Sequence, residues 1–440
     1  MSAATRRFAN IAARRTAGER SGIASVCSAH PLVIEATLRH GAARHADVLI
    51  EATCNQVNHE GGYTGMTPSD FRSFVEAHAQ KAGFPIDRLI LGGDHLGPNP
   101  WKHMAAAAAM KNAAVMIDAY ASAGFTKMHL DTSMACADDP AVLADETIAA
   151  RAAELAEIAE AAVERAGGEK PVYIIGTEVP VPGGALEALD HMHVTEPSDA
   201  LRTVEIHARA FSRAGLDDVF ARAIGVVVQP GVEFGNTEVV SYAPEKATGL
   251  VAVLDRMPQF VFEAHSTDYQ PTEALTALVR DGFAILKVGP WLTFALREAL
   301  YGLSHIADVL APDPSRESLP AAMERIMLAS PDNWQKYYPG TPDKQRVQRH
   351  FSFSDRIRYY WPTPEAQGAT QKLLDVLGEK DIPRPLISQY LGQLDAEIAE
   401  GRVKPFAHNL LIGSITRVLD IYADATGGGV VSKRTPLSSR

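Results

Sequence analysis

Two hydrophobic patterns alternate along this chain. Short, nearly continuous apolar runs, too short for helices, end in polar or ionisable side chains, and longer stretches of helical periodicity separate them. The clearest run is Leu89-Ile90-Leu91-Gly92-Gly93-Asp94-His95-Leu96-Gly97-Pro98, which reads as a buried strand delivering an Asp-His pair before a Gly-Pro stop. Lys127-Met128-His129-Leu130-Asp131-Thr132-Ser133, Tyr173-Ile174-Ile175-Gly176-Thr177-Glu178, Val226-Val227-Val228-Gln229-Pro230-Gly231 and Phe260-Val261-Phe262-Glu263-Ala264-His265-Ser266 share its form. Strands are predicted over 22–29, 47–57, 89–98, 126–132, 172–178, 224–229, 260–265 and 283–288. Helices are predicted over 31–45, from Thr67 (cap) and Pro68 (first residue), and over 102–122, 140–165, 198–214, 244–256, 271–280 and 291–304.

Near-continuous apolar strands imply a parallel sheet covered on both faces. Eight consecutive strand–helix units favour a closed TIM-type (β/α)8 barrel over 21–305 rather than an open doubly wound sheet. No Gly-x-Gly-x-x-Gly follows the first strand, which removes the main argument for a dinucleotide fold. In such a barrel the functional site lies at the C-terminal strand ends, where the polar residues fall.

The rhythm changes near residue 306. A linker over 312–320, an aromatic run Trp334-Gln335-Lys336-Tyr337-Tyr338 and a stretch over 351–360 carrying Asp355, Arg356 and Arg358 precede two helical segments, 363–378 and 387–400. Residues 306–425 read as a helical C-terminal addition, and 426–440 as a loose tail. The aromatic run reads as packing or a subunit contact. Residues 1–20, with Arg6, Arg7, Arg14, Arg15 and Arg20 against Glu19, read as a solvated helical arm. They lack a signal-peptide apolar core, and no window is long enough to span a bilayer.

Composition narrows the classes. A net charge of −11 over 440 residues argues against a nucleic-acid partner. Three cysteines without CxxC spacing give no disulfide framework and point to a reducing cytoplasm, and Cys27 and Cys54 read as small buried hydrophobes.

The strand-end residues Asp94, His95, His129, Asp131, Glu178, Gln229, Glu233, Glu263, His265 and Asp268 form a set that can hold one divalent cation, with zinc, manganese or cobalt suited to imidazole and carboxylate. Each also has a plainer reading, because a strand-end histidine serves equally as a hydrogen-bonded shell residue. Asp94 and His95 are adjacent and point to opposite faces of a regular strand, so both reach one site only if the glycine-rich context breaks the pleat. Lys287, inside the eighth strand, is open to a Schiff-base role or a structural ion pair.

At these residues the chain resembles the GatZ/KbaZ family, the accessory ("non-catalytic") subunits of class II D-tagatose-1,6-bisphosphate aldolase, to which a tagatose 6-phosphate kinase label has also been attached. The likeness is carried by Glu51-Ala52-Thr53-Cys54-Asn55-Gln56-Val57-Asn58, Gly61-Gly62-Tyr63-Thr64-Gly65-Met66 and Gly92-Gly93-Asp94-His95-Leu96-Gly97-Pro98. It continues through His129-Leu130-Asp131-Thr132-Ser133-Met134, Gly176-Thr177-Glu178-Val179-Pro180, Glu263-Ala264-His265-Ser266-Thr267-Asp268-Tyr269-Gln270 and Lys287-Val288-Gly289-Pro290. The resemblance implies a class II aldolase-like barrel whose strand-end Asp-His pair supplies a catalytic Asp94 and a zinc ligand His95.

With the strand-end pattern, it makes His95, His265, Glu178 and Glu263 the expected metal ligands and Asp94, Glu178 and Asp131 the expected catalytic residues. Asn55, Gln56, His129, Gln229, Ser266, Asp268 and Lys287 are the expected substrate contacts. The implied cofactor is a divalent metal, zinc first, and the implied partners are a catalytic aldolase subunit within an oligomer and a ketohexose phosphate. Two departures stand out: Gln229-Pro230 replaces a sixth-strand histidine, and Ser266-Thr267-Asp268-Tyr269-Gln270 replaces a glycine-rich phosphate loop. They fit an accessory role, or a changed activity such as self-sufficient aldol cleavage or C4 epimerisation. No Gly-x-x-x-x-Gly-Lys-Ser/Thr loop supports a kinase.

Overall fold

The structure, a computed structural model, describes residues 2–176 and 193–427. Its centre is a closed barrel of eight parallel strands: β1 (Ile23–Cys27), β2 (Val48–Thr53), β3 (Leu89–Leu96), β4 (Lys127–Leu130), β5 (Val172–Ile175), β6 (Ala223–Val227), β7 (Val261–Ala264) and β8 (Phe283–Val288). Each strand pairs with the next in sequence, and β8 closes on β1 through Ile23 opposite Ile285 and Val26 opposite Val288. The eight expected strands are thus all present. A small antiparallel hairpin, Glu233–Phe234 with Val239–Val240, is added after β6.

Helix boundaries follow local chemistry. Thr67 and Asp70 form a reciprocal capping box ahead of Pro68–Ala82, and Gly83 ends that helix in the left-handed conformation. Thr363 caps Pro364–Leu377 with a single bond, its hydroxyl accepting from the Ala366 N–H. The helix expected over 102–122 begins only at Ala106, because Asn99–Trp101 forms a separate 3-10 turn after Pro98. The segment expected as one helix over 387–400 is broken into Arg384–Tyr390, a 3-10 turn Gly392–Leu394 and Asp395–Ala399. Leu391 leaves helical geometry there, at φ −138°, to bury its side chain.

The N-terminal arm is helical (Ala3–Ala9 and Ile11–Thr16) but not solvated on all sides. Ala4, Phe8, Ile11 and Ala12 form a helical stripe that packs against Leu49, Ile90, Val172, Ile174, Ile224, Val261 and Ile285 inside the barrel. The arm therefore plugs the barrel's N-terminal end, with Arg6, Arg7, Arg14 and Arg20 exposed and Arg15 half-buried.

Further along the chain, Trp334 and Tyr338 are buried and the Trp334 indole N–H donates to the Met327 carbonyl at 2.7 Å, so the aromatic run packs inside the fold. The final helix, Ala407–Thr426, packs against Pro31–Arg44, Thr272–Arg280 and Pro290–Leu310. Among the described residues no helix is long and apolar enough to cross a membrane.

Candidate metal centre at the barrel mouth

Inward positions recur every second residue along each strand, and their character changes along the barrel. Leu49, Val261 and Ile285 line the apolar lower part; two residues further on lie Glu51, Glu263 and Lys287. Lys127 of β4 is fully buried between two carboxylates, with Nζ 2.6 and 2.8 Å from the Glu51 oxygens and 2.7 Å from Glu263 Oε2. Lys287 Nζ reaches Asp94 Oδ1 at 2.9 Å and Glu51 Oε2 at 3.1 Å. This is the ion-pair alternative for Lys287. Gly92 makes the layer possible, since a Cβ there would stand 2.7 Å from Glu51 Cγ.

Above it, β3 breaks its pleat. His95 sits at φ +48°, and pairing with β4 shifts register between Gly93 and Leu96. Gly97 passes so close to the Asp131 carbonyl that no side chain fits. Asp94 and His95 consequently both turn into the barrel, as the glycine-rich context allowed. They meet His129 from β4 and His265 just past β7, and one ligand atom from each of the four lies within 4.8 Å of the others. All four are buried.

Fixed acceptors orient the three imidazoles. His95 Nδ1 is 2.8 Å from Asp131 Oδ2, His129 Nε2 is 3.0 Å from the Gly176 carbonyl, and His265 Nε2 is 3.0 Å from Glu263 Oε1. A proton on each of those nitrogens leaves the other ring nitrogen as the lone-pair atom, which is how metal-binding histidines are held. His129 Nδ1 lies 3.0 Å from Asp94 Oδ1 and 3.2 Å from the His95 backbone N–H, which donates to it. Three imidazoles and one carboxylate form a donor set that suits a borderline divalent ion.

Electrostatics agree. Burial pushes the Asp94 carboxyl up, but its cationic and imidazole neighbours, His95 and Lys287 foremost, outweigh it and hold Asp94 well below the usual carboxylate range. Burial likewise opposes ionisation of Asp131 and Glu263; His95 overcomes it for the first, and Lys127 with Lys287 for the second.

The expected site residues distribute as follows. Asn55, Gln56, Asp94, His95, His265, Ser266, Asp268 and Lys287 line one cavity of about 130 Å³ over the cluster. His129 lies within the cluster itself rather than at its rim, while Glu263 lies below it between Lys127 and His265. Asp131 stands behind His95. Gln229 is turned away: its amide oxygen accepts from the Gly231 and Val232 N–H groups at 2.8 and 2.9 Å, closing its own turn. Glu178 lies outside the described residues.

Sequence reasoning missed Arg358 and Tyr359 of the C-terminal addition and Phe234 of the hairpin, which also line the cavity. Arg358 stands in the 351–360 stretch, whose arginines interleaved with aromatics were the available signal.

A closed parallel barrel with a buried histidine–aspartate cluster at its C-terminal mouth defines a TIM-barrel protein with a candidate metal centre. Residues 8–427 match the family model described as D-tagatose-1,6-bisphosphate aldolase subunit GatZ/KbaZ-like. The chain belongs to this family, and its role is related to tagatose-bisphosphate aldolase. It is 54% identical over 420 residues, 96% of this chain and 98% of the relative, to the D-tagatose 6-phosphate 4-epimerase of Agrobacterium fabrum. A Sinorhizobium meliloti 1021 protein, whose crystal structure is described as a probable tagatose 6 phosphate kinase, superposes with a TM-score of 0.86 at 54% identity. That match covers 92% of this chain and 100% of the other.

Proposed function

We propose that the chain is itself a metal-dependent 4-epimerase of a ketohexose 6-phosphate, working by reversible aldol cleavage. The observation that carries this reading is the preassembled cluster: three imidazoles, each with its outer nitrogen held by a fixed acceptor, around one ionised aspartate. The epimerase named among its relatives supports it.

His95, His129 and His265 would hold a divalent cation, with Glu178 as a further ligand candidate two residues beyond Gly176. Bound there, the cation supplies stabilisation of negative charge on the sugar oxygens. Asp94 takes the proton of the C4 hydroxyl; the C3–C4 bond breaks and its electron pair moves toward C2, giving the enediolate of dihydroxyacetone and glyceraldehyde 3-phosphate. The aldehyde turns, C3 attacks its other face, and Asp94 returns the proton to the new C4 oxygen. Lys287 keeps Asp94 ionised between turnovers. Asp131 and Glu263 act through the histidines they hold, as positioning residues. Nothing in the sequence supplies a kinase phosphate loop.

The alternative is an accessory subunit that supports a separate aldolase chain, a reading supported by the family description. Assaying the purified chain with a divalent cation and D-tagatose 6-phosphate separates the two. Formation of D-fructose 6-phosphate by the chain alone, abolished by a chelator and reduced about 10²–10⁴-fold in Asp94→Asn, is expected. Turnover only after adding an aldolase subunit would overturn the epimerase reading.

A further inference from the structure

The cavity over the cluster has two permanently cationic side chains, and they differ in one respect. Lys287 is committed, with carboxylate oxygens of Asp94 and Glu51 at 2.9 and 3.1 Å. Arg358 has no carboxylate within ion-pair distance among the described residues. Its guanidinium instead donates to neutral groups: the carbonyls of Ser354 and Asp355 and, at 2.9 Å, the Tyr359 hydroxyl. Those bonds aim the fork without neutralising it and leave N–H donors for an anion.

The other place where a TIM barrel receives phosphate is the helix N-terminus after the eighth strand. Here it is filled. Asp268 Oδ1 accepts from the Gly289 and Trp291 N–H groups at 3.0 and 2.8 Å, at the head of the helix Pro290–Leu310. A substrate phosphate placed there would displace or face a carboxylate. Arg358 is therefore the cavity's one cation whose charge no carboxylate contact offsets, among the described residues. It comes from the C-terminal addition, not from the barrel.

We infer that Arg358 recognises the terminal phosphate of the sugar and sets the preference for phosphorylated over free ketohexose. This rests on the sugar-phosphate reading above, but it is tested by binding, without turnover. The probes are D-glucitol 6-phosphate and D-glucitol, titrated by calorimetry and thermal shift into wild type, Arg358→Gln and Arg358→Lys in the same divalent cation.

Wild type is expected to bind the phosphate ester about 10–100-fold more tightly than the free hexitol, the range for hydrogen bonds to a charged group. Arg358→Gln should bind both alike with cation uptake unchanged, and Arg358→Lys should recover part of the difference. A preference kept in Arg358→Gln, or absent in wild type, overturns the inference. A crystal of wild type with D-glucitol 6-phosphate decides independently of variant folding: the phosphate on Arg358 supports it and the phosphate elsewhere refutes it. Should the chain lack epimerase activity while Arg358→Gln loses phosphate preference, the phosphate subsite stands and only the epimerase reading falls. Should epimerase activity persist with the preference intact, the reverse holds.

Discussion

The two ends of one barrel are built on opposite principles. At the N-terminal end Leu49, Ile90, Val172, Ile224, Val261 and Ile285 close over Phe8 and Ile11, and every inward side chain of this set is apolar. At the other end Glu51, Asp94, Glu263 and Lys287 stand on the same strands at inward positions of the same alternation, joined by Lys127 of β4 and capped by three histidines. Burial of the first set is favourable at about 25 cal/mol per Å² of apolar surface. Burial of the second costs desolvation that only mutual pairing offsets. The lesson is that stability and chemistry are separated along the barrel axis, with Lys127 at the boundary where charge begins.

Removing that boundary charge should have the largest effect on stability. Lys127→Met leaves Glu51 and Glu263 facing each other, with Lys287 as the remaining cation beside them. A loss near the top of the range for a broken buried pair, about 5 kcal/mol, is expected in urea unfolding. A variant as stable as wild type would break the contrast, because the charged layer would then be no more demanding than the apolar one.

Phe8→Ala comes next. Phe8 is buried in the plug, and its truncation should cost about 3–4 kcal/mol, the lower part of the range for such a cavity. Cation uptake by the folded fraction should be unchanged, since the plug touches the barrel only at its N-terminal end. A parallel loss of cation affinity would show that the two ends are coupled.

The barrel was legible because strand runs and helix caps are local signals. Thr67-Pro68 and Thr363-Pro364 start helices where their chemistry says they do. The Asp94-His95 pair was equally visible, but its shared orientation depends on the φ of one residue and on the close passage of Gly97 over Asp131, which two strands create together. His129 could not be told from other strand-end polar residues until its ring was seen pinned to Gly176. In the arm, the stripe Ala4, Phe8, Ile11 was present in the sequence, but five arginines around it carried the reading toward solvent. Arg358 reaches the cavity through long-range packing of the addition, and its interleaving with aromatics marks the stretch without saying where it packs.

The smallest effect, and the one that most directly sharpens the contrast, concerns Asp268. Burial pushes its carboxyl up to about 6 despite the N–H groups of Trp291 and Gly289 that favour the anion. A carboxyl whose folded value lies above its unfolded one, here the ordinary 3.8, binds its proton more tightly when folded. Its contribution to stability is thus fully present below pH 3.8 and is lost as the pH rises through about 6.

Asp268→Asn keeps an oxygen for the two N–H groups and carries no charge, so it is free of this dependence. The stability of the variant relative to wild type should rise between about pH 4 and 6, by at most about 3 kcal/mol, and level off above. Chemical unfolding of both proteins across that range measures it. A difference that stays flat would mean that Asp268 ionises at its ordinary pH, and that the helix N-terminus holds the anion at no cost to the fold. A rise would show the mouth of the barrel carrying a charged group at the expense of stability, in contrast to the apolar set around Phe8 and Ile11.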